Sequence, residues 1–128
     1  MPIDEHHHLI VQAWVADPIA DPREGEAWLL GLIESVGMTL LAPPQAVYSD
    51  VPGNRGLTVS ALITTSHVVL HLWDEDRPAE LQLDVYSCKA YSKEIIFDAI
   101  KARFAPLSVR YKFIDRRHGL TLFNEDHH

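Results

Sequence analysis

A serine, two histidines and one cysteine are the residues of this chain whose types and spacing suggest covalent or proton-transfer chemistry. Ser66 is followed by His67, and His71 comes five residues after the serine, between apolar segments. The only cysteine, Cys88, follows a further apolar segment. A hydroxyl attacks a carbonyl when a base removes its proton, an imidazole can be that base near neutral pH, and a thiol can donate a proton. The set predicts nucleophilic or acid–base chemistry.

Three strands are expected to position these residues. Residues 57–64 alternate between apolar and polar side chains, and residues 68–73 and 81–86 form the next two apolar segments. Ser66 then lies in the connection between the first two of these strands. Because side chains alternate along a strand, His71 is expected to face the interior or a cleft.

Two amphipathic helices and further strands complete the predicted fold. Helices are expected over 22–36, after Asp21 as N-cap, and over 92–104, with Ser92 as N-cap. Strands are expected over 8–15, over 39–41 or 45–49, and over 108–114, with a further short strand considered over 120–123.

This element order predicts an α+β fold, a two-layer α/β sandwich. Both helices should cover one face of a mainly antiparallel sheet of four to six strands. Residues 68–72 are apolar on both sides of their strand, so the second face of the sheet should also be covered.

Each candidate residue also has a simpler structural explanation. A serine between strands is often a turn residue, a partly buried histidine often makes a hydrogen bond in the core, and a lone cysteine often packs as a small apolar side chain. The aromatic residues Trp73, Tyr91 and Phe97 could stack on a ligand ring or pack in the core. The sequence alone leaves these alternatives open.

Composition narrows the classes of partner. A chain of 128 residues is expected to form one domain, residues 1–128. The net charge of −7 disfavours nucleic acid, and no apolar segment approaches the length of a membrane span. A polar start without a signal peptide and a single cysteine favour the reducing cytoplasm.

Clustered histidines raise the question of a metal. Residues 6–8 are all histidine, and the chain ends in His127 and His128. Neither group has the cysteine or carboxylate spacing of a structural zinc site, so no metal is expected. His8 is expected to begin a strand, and the final pair to be a tag remnant or a native tail.

The order of these features resembles the S-adenosylmethionine decarboxylase family in its short prokaryotic, pyruvoyl-dependent form. The family's central element is typically Glu-Ser-His-x-x-x-His-x-Trp-Pro-Glu. This chain keeps it at Ser66, His67, His71, Trp73 and Glu75. Segments 8–11, 56–59, 84–88 and 104–106 extend the resemblance over about residues 7–115.

The resemblance implies a chain that cuts itself between Thr65 and Ser66. The serine hydroxyl would attack the preceding carbonyl, and elimination of the resulting ester would leave a pyruvoyl group as the cofactor. That group would form an imine with the amine of S-adenosylmethionine and accept the electrons left by carbon dioxide. The product would serve spermidine synthesis.

The resemblance also implies roles for individual residues. His71 would be the base of self-cleavage, and Thr58 would assist it where the family usually has serine. Cys88 would return a proton to the substrate carbon, and Trp73 and Glu75 would contribute to substrate binding. The family forms homodimers with the active site near the interface, so the same assembly is expected here.

The chain also departs from the family pattern. Thr65 replaces the usual glutamate before the cleaved bond, and Lys89 follows the cysteine where the family usually has glycine and aspartate. Two alternatives therefore stay open. One is a paralogue that decarboxylates another amino acid, such as arginine or ornithine. The other is an uncleaved, non-enzymatic homologue that binds a nucleoside or regulates a partner.

Overall fold

The alternating segments form one antiparallel sheet of seven strands in the computed structural model, which describes residues 5–127. The strands are β1 (His7–Val15), β2 (Gln45–Ser49), β3 (Gly56–Ile63), β4 (Ser66–Trp73), β5 (Ala79–Ser87), β6 (Pro106–Asp115) and β7 (Thr121–His127). Their spatial order is β2-β3-β4-β5-β1-β6-β7. The strands β4 and β5, which carry or precede the reactive residues, therefore lie inside the sheet.

The two helices are α1 (Pro22–Ser35) and α2 (Lys93–Phe104). The Asp21 side chain accepts a hydrogen bond from the Arg23 N–H at 3.1 Å, as expected of an N-cap. Ser92 is the N-cap residue of α2, although its side chain makes no capping hydrogen bond. The predicted helices are confirmed to within one residue at each end. In residues 5–127, no helix is long and apolar enough to cross a membrane.

Both helices and one side of the central strands enclose the core. The buried strand residues alternate along the chain, for example Leu9, Val11 and Ala13 on β1. The helices contribute fully buried side chains to the same cluster, including Leu29 and Phe97. The predicted two-layer α/β sandwich is confirmed, and burial of this apolar area is its main source of stability.

The sheet is larger than the four to six strands predicted. The difference is β7, whose sequence is mostly polar and which pairs with β6 as an edge strand. Of the two alternatives for the second strand, 45–49 is confirmed. Leu40 in the other segment forms only an isolated bridge with Ile63.

The face of the sheet opposite the helices is open and partly apolar. Ile10, Trp14 and Leu62 are 44, 41 and 61% exposed on this face. On β4 the apolar residues Val68, Leu70 and Leu72 face the core. His71 therefore lies on the open face and not in the interior, which was one of the two positions expected from the sequence. Exposed apolar side chains on one face of a sheet favour a role for that face as a contact surface.

Tyr91 joins β1 to β5 near the start of α2. Its hydroxyl accepts a hydrogen bond from the Leu9 N–H at 3.0 Å and donates one to the Val85 carbonyl at 2.6 Å. Leu9 and Val85 are partners across the two strands, and burial raises the pKa of the Tyr91 hydroxyl. Phe97 is 1% exposed. These two aromatic residues therefore have structural roles.

Candidate active site

A two-residue turn holds the bond that the sequence marks for cleavage. β3 ends at Ile63 and β4 begins at Ser66, and these two residues are paired, so Thr64 and Thr65 form the connection. Thr65 has a φ of 51°, in the left-handed region. That conformation costs a residue with a Cβ about 1–2 kcal/mol and is unusual for a β-branched side chain. The Thr65–Ser66 bond therefore follows a strained residue.

Ser66 and Cys88 meet beside this turn. The Ser66 Oγ accepts a hydrogen bond from the backbone N–H of Cys88 at 2.9 Å. The Thr65 hydroxyl lies 3.0 Å from the Cys88 Sγ, and that sulfur lies 3.5 Å from the Thr64 carbonyl oxygen. The structure thus brings together Thr65, Ser66 and Cys88, which we name the cleavage group.

A cavity of about 230 Å³ opens next to the thiol. Its lining residues are Met38, Thr39, Ile63, Thr64, Ser87, Cys88 and Lys89. Lys89 donates a hydrogen bond from Nζ to the Gly37 carbonyl at 3.1 Å and so ties the segment after the cysteine to the end of α1. In the sequence Lys89 stands out only as a departure from the family pattern. Its contact with Gly37 joins distant parts of the chain, so residue spacing gives no sign of it.

Thr58 and His71 form a second pair, on the open face. They are partners across β3 and β4, and the Thr58 Oγ1 lies 3.0 Å from the His71 Nδ1. The His71 ring also packs against Trp73, with 5.7 Å between ring centroids. The threonine hydroxyl fixes one ring nitrogen, which leaves Nε2 of His71 to exchange a proton.

The cleavage group and His71 do not meet within one chain. Ser66 and His71 are five residues apart on β4, and an extended strand rises about 3.3 Å per residue, so about 16 Å separates them. Their side chains also point to opposite faces, because the interval is odd. We name Thr58, His71, Trp73 and Glu75 the imidazole group.

Trp73 and Glu75 hold the loop between β2 and β3. The Trp73 indole N–H donates to the Asn54 side-chain oxygen at 3.1 Å. The Glu75 carboxylate accepts from the Gly53 N–H at 2.9 and 3.1 Å. Both residues therefore shape this loop, in addition to any contact with substrate.

A cavity of about 400 Å³ lies at this end of the sheet. Its lining residues are Trp14, Gly53, Arg55, Trp73, Glu75, Asp76, Pro78, Glu80 and Gln82. Two indole rings and three carboxylates against a single guanidinium favour a positively charged ligand. Trp14 was not selected from the sequence, although alternation along β1 already placed it opposite the core residues of that strand.

A further cavity, of about 600 Å³, lies elsewhere, between β1, β6 and β7. It is lined by Ile10, Gln12, Arg110, Tyr111, Lys112, Glu125 and Asp126. None of the predicted site residues lies in it. The volume of a cavity therefore does not identify the candidate active site, and the predicted site residues Trp73, Glu75 and Cys88 line the two smaller cavities.

A group of three potential metal ligands lies on the open face. The Asp84 Oδ1 is 2.5 Å from the His8 Nε2 and 3.2 Å from the His67 Nε2. Partial burial raises the pKa of Asp84, but the hydrogen bonds and charges of the two imidazoles lower it more. The pKa of this carboxyl therefore lies below its ordinary value.

Comparison with known proteins identifies the family of this chain. The family model for S-adenosylmethionine decarboxylase matches residues 7–117. The chain therefore belongs to the S-adenosylmethionine decarboxylase family, which confirms the resemblance found in the sequence. It is also similar to a protein of Pyrobaculum islandicum described as "S-adenosylmethionine decarboxylase proenzyme", with 38% identity over 64 residues. That match covers 49% of this chain and 50% of the relative, so the chain spans about half the length of this curated relative.

Gly56 allows β3 and β4 to approach closely near the Thr58–His71 pair. A Cβ at this position would lie 1.8 Å from the backbone carbonyl oxygen of Leu72. We expect Gly56→Ala to push the strands apart and to lower the free energy of unfolding by about 1–3 kcal/mol in urea denaturation.

The control is Gly31→Ala in α1, where no atom lies within 4 Å of the added methyl group. Alanine favours the helix, so this variant should gain about 0.5–1 kcal/mol. Equal stability of the two variants would show that the close approach at Gly56 does not constrain the strands.

Proposed function

We propose that this chain is a pyruvoyl-dependent S-adenosylmethionine decarboxylase that cuts itself between Thr65 and Ser66. The observation that carries the proposal is the cleavage group in a member of this family: a serine after a strained turn residue, with a thiol beside it. In this proposal residues 1–128 act as one domain. The product would donate an aminopropyl group in spermidine synthesis.

Self-cleavage would begin at the Ser66 hydroxyl. Its oxygen adds to the Thr65 carbonyl carbon, the Thr65–Ser66 amide bond breaks, and the amide nitrogen takes up the proton that the hydroxyl loses. A base then removes the α-proton of Ser66, and the Thr65 carboxylate leaves. Water hydrolyses the product with release of ammonia, which leaves a pyruvoyl group at residue 66. Release of the left-handed backbone at Thr65 favours this sequence of steps.

Decarboxylation would then depend on Cys88. The pyruvoyl group supplies a carbonyl that condenses with the substrate α-amine and accepts the electron pair released with carbon dioxide. The substrate α-carbon afterwards needs a proton, which a positioned thiol can donate. The contact between Cys88 and Thr65 supports a position of the thiol next to the reacting atoms.

The base for the elimination step would come from a second copy of the chain. A twofold axis perpendicular to β4 exchanges the two ends of this strand. Two copies stacked through their open faces would thus bring the end of β4 that carries the imidazole group in one copy near the end that carries the cleavage group in the other. The exposed Ile10, Trp14 and Leu62 on this face support a homodimer. His71, oriented by Thr58, would remove the Ser66 α-proton.

The acidic cavity supports a cationic substrate such as the sulfonium of S-adenosylmethionine. Trp73 and Trp14 would face the sulfonium, while Glu75 and Glu80 add negative charge. A net charge of −7 does not suit nucleic acid as a partner. The free thiol of Cys88 fits the reducing cytoplasm, which we propose as its location.

One sequence feature favours a second candidate function. Thr65 stands where the family usually has glutamate, and its hydroxyl contacts the thiol in the uncut chain. An uncleaved, non-enzymatic homologue that binds a nucleoside or regulates a partner would keep this contact permanently. The acidic cavity would also accept arginine or ornithine, the substrates of a paralogue.

Intact-mass spectrometry tests self-cleavage. The wild-type chain should yield two pieces, residues 1–65 and 66–128, with a pyruvoyl group on the second. Ser66→Ala, which lacks the attacking oxygen, should stay whole, and Ser60→Ala controls for loss of a hydroxyl on the preceding strand. A wild-type chain that stays whole after prolonged incubation would favour the uncleaved homologue instead.

Turnover of S-adenosylmethionine tests the role of Cys88. Cys88→Ala should cleave itself normally but release carbon dioxide about 10²-fold more slowly, because the acid that protonates the substrate carbon is lost. Cys88→Ser, with a similar shape and a far weaker acid, should show a comparable loss. Wild-type turnover in both variants would make Cys88 an ordinary packing residue, and turnover of arginine or ornithine alone would favour the paralogue.

Sedimentation equilibrium tests the assembly. The chain should sediment at twice its mass of 14.5 kDa at micromolar concentration. Ile10→Arg on the open face should weaken the dimer, because it buries a charge between the sheets. The control Leu30→Arg changes an exposed apolar residue on α1 and should leave the dimer intact. A monomer, or equal effects of the two variants, would contradict stacking through the open face.

A further inference from the structure

Three neighbouring strands contribute the ligand group on the open face. His8 comes from β1, Asp84 from β5 and His67 from β4, and β5 lies between the other two. Both histidines are paired with Tyr86 across the strands, and Asp84 lies two residues before Tyr86 on the same face of β5. The two imidazoles therefore lean toward one carboxylate from opposite sides.

The three ligand atoms lie close to the spacing that a small divalent ion requires. One ring nitrogen of each histidine and one Asp84 carboxylate oxygen all lie within 4.8 Å of one another. An ion bound at about 2.0–2.2 Å from each donor needs donors that are roughly 3–3.6 Å apart. Small side-chain rotations would meet this condition without movement of the strands.

Aromatic packing holds the imidazoles in place. The Tyr86 ring lies 5.5 Å from the His8 ring and 5.6 Å from the His67 ring, and its hydroxyl contacts the His6 Nδ1 at 3.2 Å. The side chains of His8 and His67 are 14 and 35% exposed. The two imidazoles are thus largely fixed in orientation before an ion arrives.

We propose that His8, His67 and Asp84 bind a divalent first-row transition ion such as Zn²⁺, through two imidazole nitrogens and one carboxylate oxygen. Imidazole ligands favour such ions over Mg²⁺ and Ca²⁺, which prefer oxygen alone. The three ligands rise from one face of the sheet, so they occupy one side of the ion and leave its other coordination positions to further donors.

This site goes beyond the proposed decarboxylase, because none of the steps given above uses a metal. It also revises the expectation of no metal drawn from the sequence. His8 and Asp84 are 76 residues apart, so the spacing of residues along the chain gave no sign of the carboxylate that joins the histidines.

The test measures binding of Zn²⁺ by isothermal titration to the metal-stripped full chain, and the absorption spectrum of bound Co²⁺. The wild type should bind one ion per chain. His67→Ala and Asp84→Asn should each weaken binding at least about tenfold and abolish the Co²⁺ bands. The matched control His118→Ala removes a histidine that contacts a single carboxylate, Asp115, at 2.9 Å, and should bind as the wild type does.

Two further readouts keep the test decisive. Circular dichroism identifies any variant that fails to fold, and His67→Gln then replaces His67→Ala. Zn²⁺ should raise the melting temperature of the wild type and of His118→Ala but not of Asp84→Asn, because only an ion bound to the folded state stabilises it. Unchanged affinity in His67→Ala and Asp84→Asn would assign the ion to the other histidines and overturn the proposal. Intact mass, recorded on the same samples, separates this outcome from failure of self-cleavage.

Discussion

The fixed rise of an extended strand decides how the site of this protein can be assembled. Ser66 and His71 lie on the same strand, five residues apart and on opposite faces, so about 16 Å of rigid backbone separates them. β4 is paired on both sides, and its core residues Val68, Leu70 and Leu72 are at most 1% exposed. A slip of register would expose them, so local motion does not bring the two groups together.

Because side chains alternate along each strand, the two faces of the sheet have different roles. The face that the helices cover stabilises the fold, because the buried apolar residues of the central strands lie there. The open face carries apolar side chains, the Thr58–His71 pair and the His8–His67–Asp84 group. Stacking of two open faces would protect this apolar surface and complete a cleavage site in one step. The strained residue Thr65 lies in the turn between β3 and β4, at the end of β4 that the second copy would approach.

The sequence predicted the elements well where side-chain periodicity reports burial. Alternation on β3 and β5 and the apolar stripes of α1 and α2 follow directly from contact with one core. It indicated only a short strand over 120–123 where β7 extends over Thr121–His127, because an edge strand held mainly by backbone hydrogen bonds with β6 needs no apolar pattern.

The sequence also predicted some features of the candidate site and not others. The family pattern implied roles for Ser66, Cys88 and His71 at one site. A short turn and a neighbouring strand end bring Ser66 and Cys88 together, but His71 lies apart from them. Alternation placed His71 on one side of its strand, but only the position of the helices shows that this side is the open face. Asp84 gained its partners through pairing of distant strands, which no local spacing could indicate.

Mixing two inactive variants tests the central claim, that one chain supplies the base for cleavage of another. His71→Ala keeps its own Ser66, whereas Ser66→Ala keeps His71, and each should stay uncut alone. Coexpressed, they should form mixed dimers in which the His71→Ala chain is cut into residues 1–65 and 66–128, as seen by intact mass. Cleavage of His71→Ala alone at the wild-type rate, or uncut chains in verified mixed dimers, would contradict the account.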